Sequence, residues 1–562
     1  MYNQIGNANP QLMREIKSRF KTSKVLFTLS SSLALQGLVL FFYWTQLPVS
    51  IPHNNHYNPY CYPSASYNSF IITSSDQPSR RQCLEDTAGH IIISWTRWWL
   101  HISLALSMIA IAVLLIGGLF FLIENLVEEQ EKGNLNFIRL SPQPGYKIVL
   151  GKLLGVPFLL YLGVAAALPL HSVAATNGGF SLREILLFYT LVAAGIFSIY
   201  SLTMLYVMSG GKQPLAFSLL LGGSLSYISF LTLSVLFYLE QIDYYYYDLQ
   251  SVAVWFNFRF PKSSIYSQAF WTVSFIVFSG LIFNIVSQRY QNPNSTLITK
   301  KQGYVLCAIL NFYALGFLLD DSGDSQQFML VSLKESNNYS IFLLLLLIGL
   351  VISLSPGRQN LQDWARYRHR LSQLGAQSHY SLWQDLLWGE KSPSILAMAI
   401  NITLSIATLG IWVLSWNHSL LHEDGDPVLL SIGILILLGW LACYSVLVQC
   451  LSFTTTASKH RWVIGLVLIL LVIGPHLLLT LFDPRSNDHQ GWVLFVFGGS
   501  LRLADSPDLL TEALYLLLAQ ALGIGLMLSL FTYELRQVGQ SELKRLMRDS
   551  PAQTLKKEAK RG

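Results

Sequence analysis

Charged residues interrupt the apolar chain in the stretch EEQEKGNLNFIRLSPQPGYKIVLGK, which begins at Glu128. Its polar start contains Glu128, Glu129, Glu131, Lys132 and Gly133. The first four residues can extend a helix, Gly133 is the type of residue that follows a helix end, and the two prolines further on stop a second short helix. We therefore predict a rigid acidic knob, residues 128–133, that offers charge to its surroundings.

A second charged segment, PQLMREIKSRFKTSK, lies near the start of the chain. Leu12, Ile16 and Phe20 recur at the spacing of one helix face. Asn9 is a good N-cap, and Pro10 suits the first helical position, where an N–H is not needed. We predict a basic amphipathic helix on the membrane surface within residues 1–24; the alternative is a solvated, positively charged lead-in. The charged residues assigned to this surface helix are Arg14, Glu15 and Lys17.

The elements that must position these residues are membrane helices. The 562-residue chain is 52% hydrophobic and 12% charged, whereas soluble chains carry about 25% charged residues. Its apolar runs are about 20 residues long, enough to cross a bilayer as helices and too uniform for barrel strands. We predict an all-α polytopic membrane protein with twelve transmembrane helices. The predicted spans are 25–47, 99–123, 148–170, 185–207, 215–238, 269–287, 304–319, 339–354, 394–416, 428–450, 462–482 and 513–533.

The distribution of lysine and arginine predicts the orientation of these spans. With twelve spans, the side that holds both termini carries about three times as many of these residues as the other side, so both termini are expected in the cytoplasm. The basic tail, 534–562, and the net charge of +6 are then explained by topology and by contact with anionic membrane lipid. No nucleic acid partner is expected.

The spans divide into two halves of six, 25–290 and 291–533. In each half the largest cytoplasmic loop follows the second span, at 124–147 and at 355–393, and the latter contains Glu390 and Lys391. Each half also has a short apolar run between its last two spans, 252–256 and 492–497, suited to the membrane interface. These features suggest a parallel repeat of the kind that transporters use; the alternative is a chance similarity between polytopic halves.

Two of the five cysteines, Cys61 and Cys83, fall in the long outer loop at 48–98. They form a disulfide if that loop faces an oxidising space. Two separate thiols are the other interpretation, and the sequence leaves both open.

Motifs for catalysis, metal binding or nucleotide binding are missing from the sequence. There is no phosphate-binding loop, no Cys/His cluster at metal spacing and no nucleophile elbow. Ionisable residues deep inside the predicted spans are scarce, which disfavours proton coupling. We therefore expect no catalytic residues, no metal and no cofactor in this chain, and we do not expect an enzyme.

Together, NPQLMREIKSRF and EEQEKGNLNFIRLSPQPGYKIVLGKLLG resemble the permease subunits of type-2 ABC exporters. The shared features are the N-terminal surface helix, the large first outer loop, and the acidic turn followed by a proline and by Gly151-Lys152. The threonine usual in that turn is Asn134 here. The resemblance covers residues 9–290; in the second half, Glu390 and Lys391 stand at the equivalent place in a different order.

This resemblance implies a permease subunit of an ATP-driven exporter in a prokaryotic cytoplasmic (inner) membrane. A separate ABC-type ATPase would bind ATP, and the chain would work as a homodimer or as a pseudo-dimer of its own halves. The residues implied in coupling to the ATPase are Glu128, Glu129, Glu131, Lys132, Gly133, Glu390 and Lys391. The alternatives are a twelve-span secondary transporter driven by an ion gradient, and a membrane-embedded enzyme or assembly factor. The cargo is not identified by the sequence.

Overall fold

The computed structural model describes a largely helical chain. The described residues are 8–48, 58–62, 83–87, 90–133, 142–241, 251–256, 258–261, 265–292, 295–318, 325–374, 382–414, 427–454 and 510–539.

The first part of the chain begins with a short amphipathic helix and continues with long apolar ones. Two of the long helices contain a single wider, π-helical turn, at Val113–Gly117 and at Ser218–Gly222. The helices are α1 (Pro10–Arg19), α2 (Thr22–Thr45), α3 (Trp95–Ala112), α4 (Gly118–Glu131), α5 (Gly145–Gly155), α6 (Phe158–Asn177), α7 (Leu182–Met208), α8 (Pro214–Phe217), α9 (Gly223–Gln241) and α10 (Ile265–Gln291). Two short strands, β1 (Ser251–Trp255) and β2 (Phe258–Pro261), pair with each other before α10.

The second part of the chain mixes apolar helices with two polar ones. The helices are α11 (Lys300–Leu318), α12 (Ser325–Leu354), α13 (Arg358–Leu374), α14 (Leu382–Trp388), α15 (Ile395–Leu414), α16 (Pro427–Thr454) and α17 (Leu510–Gly539). Helices α13 and α14 occupy the cytoplasmic loop predicted at 355–393. The last helix runs into the predicted basic tail as far as Gly539, and residues 540–562 lie outside the described part.

Eight helical stretches of the described residues are long and apolar enough to cross a membrane, and a ninth is added if the bent pair α12–α13 counts as one span. The chain is therefore a helical polytopic membrane protein. Six of the eight match the six spans predicted for the first half, and two match the tenth and twelfth. The ninth predicted span falls on α15, a shorter apolar helix, and the seventh on α11. The eleventh, 462–482, lies outside the described residues, so the total of twelve stays a prediction.

The third span differs from its prediction. A single helix was expected over 148–170, but the structure has two, α5 and α6, which meet at Val156 and Pro157. Proline has no N–H and its ring displaces the preceding turn, so the helix stops there. Helix α6 has 20 residues and suffices to cross the membrane alone. The segment between the second and third spans, predicted as 124–147, therefore includes α5 and ends at Gly155.

The chain divides into two compact units near the boundary predicted at 290/291. Unit 1 comprises Met1–Val252 with Pro261–Gln291, and unit 2 comprises Ala253–Phe260 with Asn292–Gly562. In unit 1, α2 packs against α6, α4 against α7, and α7 against α10. In unit 2, α11 packs against α15, α12 against α16, and α16 against α17. Each unit thus pairs its first predicted span with its third, its second with its fourth, and its fourth with its last.

The apolar run at 252–256 forms most of β1 and joins unit 2. The Trp255 indole N–H donates to the carbonyl of Tyr313 at 3.0 Å, and the Phe256 N–H donates to the carbonyl of Gly316 at 2.7 Å. Trp255 and Phe256 are therefore fixed to α11 by hydrogen bonds to its carbonyls. The matching run at 492–497 lies outside the described residues.

Candidate functional site

The candidate site lies where α1, α4 and α5 meet, beside the core of unit 1. Leu122 and Leu126 of α4 and Val149 and Leu153 of α5 are buried in that core. These contacts fix α4 and α5 against each other, so the polar residues that extend from them are held by apolar packing.

Helix α1 begins as its sequence predicts. The Asn9 side chain accepts a hydrogen bond from the Leu12 N–H at 3.0 Å, and Pro10 takes the first helical position. The amide of Asn9 also donates to the carbonyl of Lys147 at 2.7 Å. The cap therefore also ties the start of α1 to the start of α5.

Two glycines of α5 let α1 approach closely. A Cβ atom at Gly151 would lie 2.8 Å from the Leu12 nitrogen, and one at Gly155 would lie 2.5 Å from the Glu15 Cβ. The two positions are four residues apart and share one face of α5, the arrangement that small residues provide for tight helix contact in membranes.

Helix α1 buries two polar side chains in unit 1, beside its predicted apolar face. Gln11 and Glu15 are 5% and 4% exposed, whereas Phe20, which belongs to the predicted apolar face, is 55% exposed. Glu15, expected on the surface, is therefore an interior residue. Arg14 and Lys17 are exposed as predicted. The glycines of α5 explain this orientation, because they make room for the backbone of α1 and for the Glu15 side chain.

A buried ammonium stands at the centre of the site. Lys152 of α5 has no exposed surface, and its Nζ lies 3.4 Å from Glu15 Oε1 and 3.3 Å from Asn125 Oδ1. It also lies 2.5 Å from Glu129 Oε2, as an ion pair without good hydrogen-bond alignment. A charge removed from water is very costly unless it is paired. Lys152 therefore needs both α1 and α4 in place.

Arginines complete the surroundings of the two carboxylates. Arg14 reaches Glu129 at 3.1 Å and Glu15 at 3.4 Å, and Arg19 pairs with the second oxygen of Glu15. Burial acts to raise the pKa of Glu15, but Lys152, Arg19 and Arg14 outweigh it, and the pKa is lowered from its ordinary value. Glu15 is therefore an ionised residue at neutral pH.

The acidic knob divides into an inward residue and an outward set. Glu129 is mostly covered, with 13% of its side chain exposed, and faces Lys152 and Arg14.

The outward residues of the acidic knob, Glu128, Glu131 and Lys132, are exposed. Glu128 pairs with Lys132, whose hydrogen bond and charge lower the pKa of Glu128, and Glu131 lies 3.7 Å from Lys212. Only the outward residues are available to a partner.

The end of α4 confirms the prediction made for Gly133. Helix α4 runs to Glu131, and Gly133 has a φ of +70°, the left-handed conformation that closes helices at low cost for glycine. The remainder of the predicted turn, 134–141, lies outside the described residues.

The corresponding loop of unit 2 is held by a different buried lysine. Lys300, at the start of α11, is 2% exposed, and its Nζ donates to Ser392 Oγ at 2.6 Å and to the carbonyls of Leu386 and Pro393 at 2.6 and 3.0 Å. Burial lowers the pKa of Lys300 to about 8, although the negative charge of Asp385 acts to raise it.

These contacts of Lys300 leave part of the α14 turn exposed. Glu390 and Lys391 are exposed beside it. Asp385 faces inward, where it accepts from Trp364 Nε1 at 2.5 Å and from Arg368 Nη2 at 2.8 Å. Both units thus place exposed charges next to a loop fixed by a buried lysine.

Sequence reasoning assigned no role to either buried lysine. Lys152 appeared only as part of the Gly151-Lys152 motif, and Lys300 only as one of the cytoplasmic cations. A signal for Lys152 was present, because it lies between Gly151 and Gly155 in an otherwise apolar segment, where a lone charge needs a partner.

The two outer-loop cysteines are bonded. Cys61 and Cys83 form a disulfide with their Cα atoms 5.5 Å apart, and Cys61 and Glu85 make isolated β-bridges to Ile93 and Ile91. The Tyr60 hydroxyl lies 3.0 Å from His101 Nδ1 of α3. The disulfide therefore joins two outer segments that rest on the end of α3.

An interior histidine links three helices of unit 1. His171 Nε2 lies 2.7 Å from the Ser107 hydroxyl, and its Nδ1 lies 2.7 Å from the Tyr189 hydroxyl. The His171 side chain is buried, with 8% of its surface exposed.

Known proteins do not identify this arrangement. No family model, no curated protein and no solved structure matches the chain. Within the described residues, no group of three or more His, Cys, Asp or Glu side chains is placed to hold a metal ion.

Proposed function

We propose that the chain is the transmembrane permease subunit of an ATP-driven exporter of the type-2 ABC kind, coupled to a separate ATPase at its cytoplasmic side. The observation that carries this proposal is the ion cluster of Glu15, Glu129 and Lys152. It locks the surface helix α1, the extended end of the second span and the segment before the third span into one charged assembly. A force applied to the exposed acidic end of α4 would move all three.

The two units support the pseudo-dimer form of the proposal. They pair corresponding helices in the same way, and each carries exposed charges in its predicted cytoplasmic loop, at Glu128, Glu131 and Lys132 in one and at Glu390 and Lys391 in the other. One chain with two such surfaces would engage two ATPase subunits. The proposed location is a prokaryotic cytoplasmic membrane with both termini inside the cell.

Exposed charge at an interface directs association more than it adds affinity. The test therefore reverses the charge of the outward glutamates only. Glu128→Lys with Glu131→Lys should leave the chain folded and weaken both association with the ATPase and permease-stimulated ATP hydrolysis. Glu129 stays unchanged, because its reversal would place a second cation against Lys152 and perturb folding.

The matched control is Glu512→Lys with Glu534→Lys, which changes the net charge equally at two exposed positions of α17, outside both predicted cytoplasmic loops. The proposal requires the control to behave as wild type. Equal loss in both double variants, or loss in neither, would remove the acidic knob from the coupling role.

A secondary transporter driven by an ion gradient is the second candidate, and one observation favours it. His171 is an ionisable side chain inside a span, and such residues often serve ion or proton pathways. Transport abolished by a protonophore and by His171→Ala, but unaffected by ATP depletion at a constant proton gradient, would support this candidate over the exporter.

A further inference from the structure

A group of exposed cations surrounds the junction of α1 and α2. We call Arg14, Lys17, Lys21 and Lys24 the basic patch; all four are exposed. Residues 10–24 contain five cations and one carboxylate, Glu15, a net charge of +4. Because Glu15 faces the interior and is paired with Lys152 and Arg19, its charge does not neutralise the outer surface.

Lysines dominate the outward charge of this patch. In the part of the chain that the structure describes, Lys17, Lys21 and Lys24 form no ion pair, whereas Arg14 is shared between Glu15 and Glu129. Three long, flexible ammonium side chains are thus available to one external anionic partner.

Large apolar side chains lie next to these lysines in the chain. Phe20 is 55% exposed, and Leu26 and Phe27, in the first turns of α2, are 61% and 73% exposed. Helix α2 is one of the candidate membrane spans. The lysines therefore stand at the end of an apolar helix that is long enough to cross a membrane.

We propose that the basic patch is a binding site for the headgroup of an anionic phospholipid. The lysines complement the phosphate and its negative charge, and the exposed apolar residues fit the acyl chains beneath it. Basic residues beside apolar ones at a membrane surface are the combination that recognises such lipids. The site does not depend on the proposed function, since a secondary transporter would carry it equally.

The test uses the full chain in bilayer nanodiscs. These contain phosphatidylcholine with about one lipid in ten replaced by a photoactivatable lipid, carrying either a phosphatidylglycerol or a phosphatidylcholine headgroup. After illumination, labelled peptides are identified by mass spectrometry. Phosphatidylglycerol should label residues 17–27 several-fold more than the zwitterionic probe, and this selectivity should weaken as ionic strength rises.

The variant Lys17→Gln, Lys21→Gln, Lys24→Gln should reduce phosphatidylglycerol labelling of this region several-fold, to the level of the zwitterionic probe, since the basic residues supply the attraction to an anionic headgroup. Arg14 is left intact because its loss would also disturb Glu129. The control removes three exposed arginines of α13, as Arg358→Gln, Arg366→Gln, Arg370→Gln, and should leave labelling at 17–27 unchanged.

Equal labelling by the two probes would overturn the proposal, since it would indicate proximity without headgroup recognition. Unchanged labelling in the lysine variant, or equal loss in the arginine control, would also overturn it. Oxidised Cys61–Cys83 in each variant provides a check on folding that is remote from the patch.

Discussion

At Lys152, an ammonium group lies in the interior of unit 1, and oxygen atoms from two other helices surround it. Glu15 comes from α1, while Asn125 and Glu129 come from α4. Without the lysine, Glu15 and Glu129 would keep only their pairs with Arg14 and Arg19 at the edge of the cluster. A buried ion pair adds little to the free energy of unfolding compared with apolar packing of the same volume. The loss of one member of the pair lowers that free energy strongly.

Substitution of Lys152 tests this argument at a single residue. Lys152→Met keeps the volume and removes the charge, so Glu15 and Glu129 lose their shared cation. We expect a loss of about 1–3 kcal/mol in the free energy of unfolding, because Arg14 and Arg19 still face the two carboxylates, measured by chemical denaturation in mixed micelles. Lys212→Met, which removes an exposed lysine paired with Glu131, is the control and should change stability little. Similar stability of the two variants would contradict the assigned role.

The lowered pKa of Glu15 predicts a pH dependence. Since the folded chain holds this carboxyl in its ionised form more strongly than the unfolded chain, its stabilising contribution is complete above the ordinary pKa of 4.5 and is lost as the pH falls through the lower, folded value. Below pH 4.5, wild type should therefore lose stability more steeply than Glu15→Gln. Identical pH profiles of unfolding would count against the ion cluster.

Helix α1 shows how an element is positioned by the surface that receives it. Its start was predictable from Asn9 and Pro10, because capping depends on local sequence. Its contact with unit 1 was not predictable, because Gln11 and Glu15 are polar and neither belongs to the predicted apolar face of Leu12, Ile16 and Phe20. The deciding partner, Lys152, is more than a hundred residues away in the chain.

The close approach of α1 and α5 gives a prediction for this pair of helices. Gly155→Leu places its side chain where Glu15 packs, so α1 should detach, with a loss of about 1–3 kcal/mol in stability and faster tryptic cleavage after Lys17 and Lys21. Gly195→Leu in α7 is the control, because a Cβ atom there would meet nothing within 4 Å. Slow cleavage in both variants would contradict the tight contact.

The outer segments give a prediction about thiol chemistry. Because Cys61 and Cys83 are bonded and Cys307, Cys443 and Cys450 are free, the denatured chain should take up three maleimide groups before reduction and five after it. Mass spectrometry counts the groups directly. Five before reduction would show that the outer cysteines are separate thiols. The sequence left this choice open because it depends on where the two outer segments lie.

For the whole molecule, the sequence predicted the helical membrane class and most span positions, because long apolar runs have few alternatives in a bilayer. The division into two six-span halves stays a prediction. The sequence missed the break at Pro157, the strands at β1 and β2, and the interior roles of Lys152 and Lys300. These depend on contacts between residues distant in the chain, which span length and capping do not encode.

Energy coupling through a second protein is the central claim for the whole molecule. The chain should be purified in mild detergent from the membrane of its own cell, and the retained proteins tested for ATP hydrolysis. We expect a co-isolating ATPase whose retention falls in Glu128→Lys with Glu131→Lys and persists in Glu512→Lys with Glu534→Lys. Absence of any ATPase, together with transport that follows an ion gradient and is indifferent to ATP, would contradict the account.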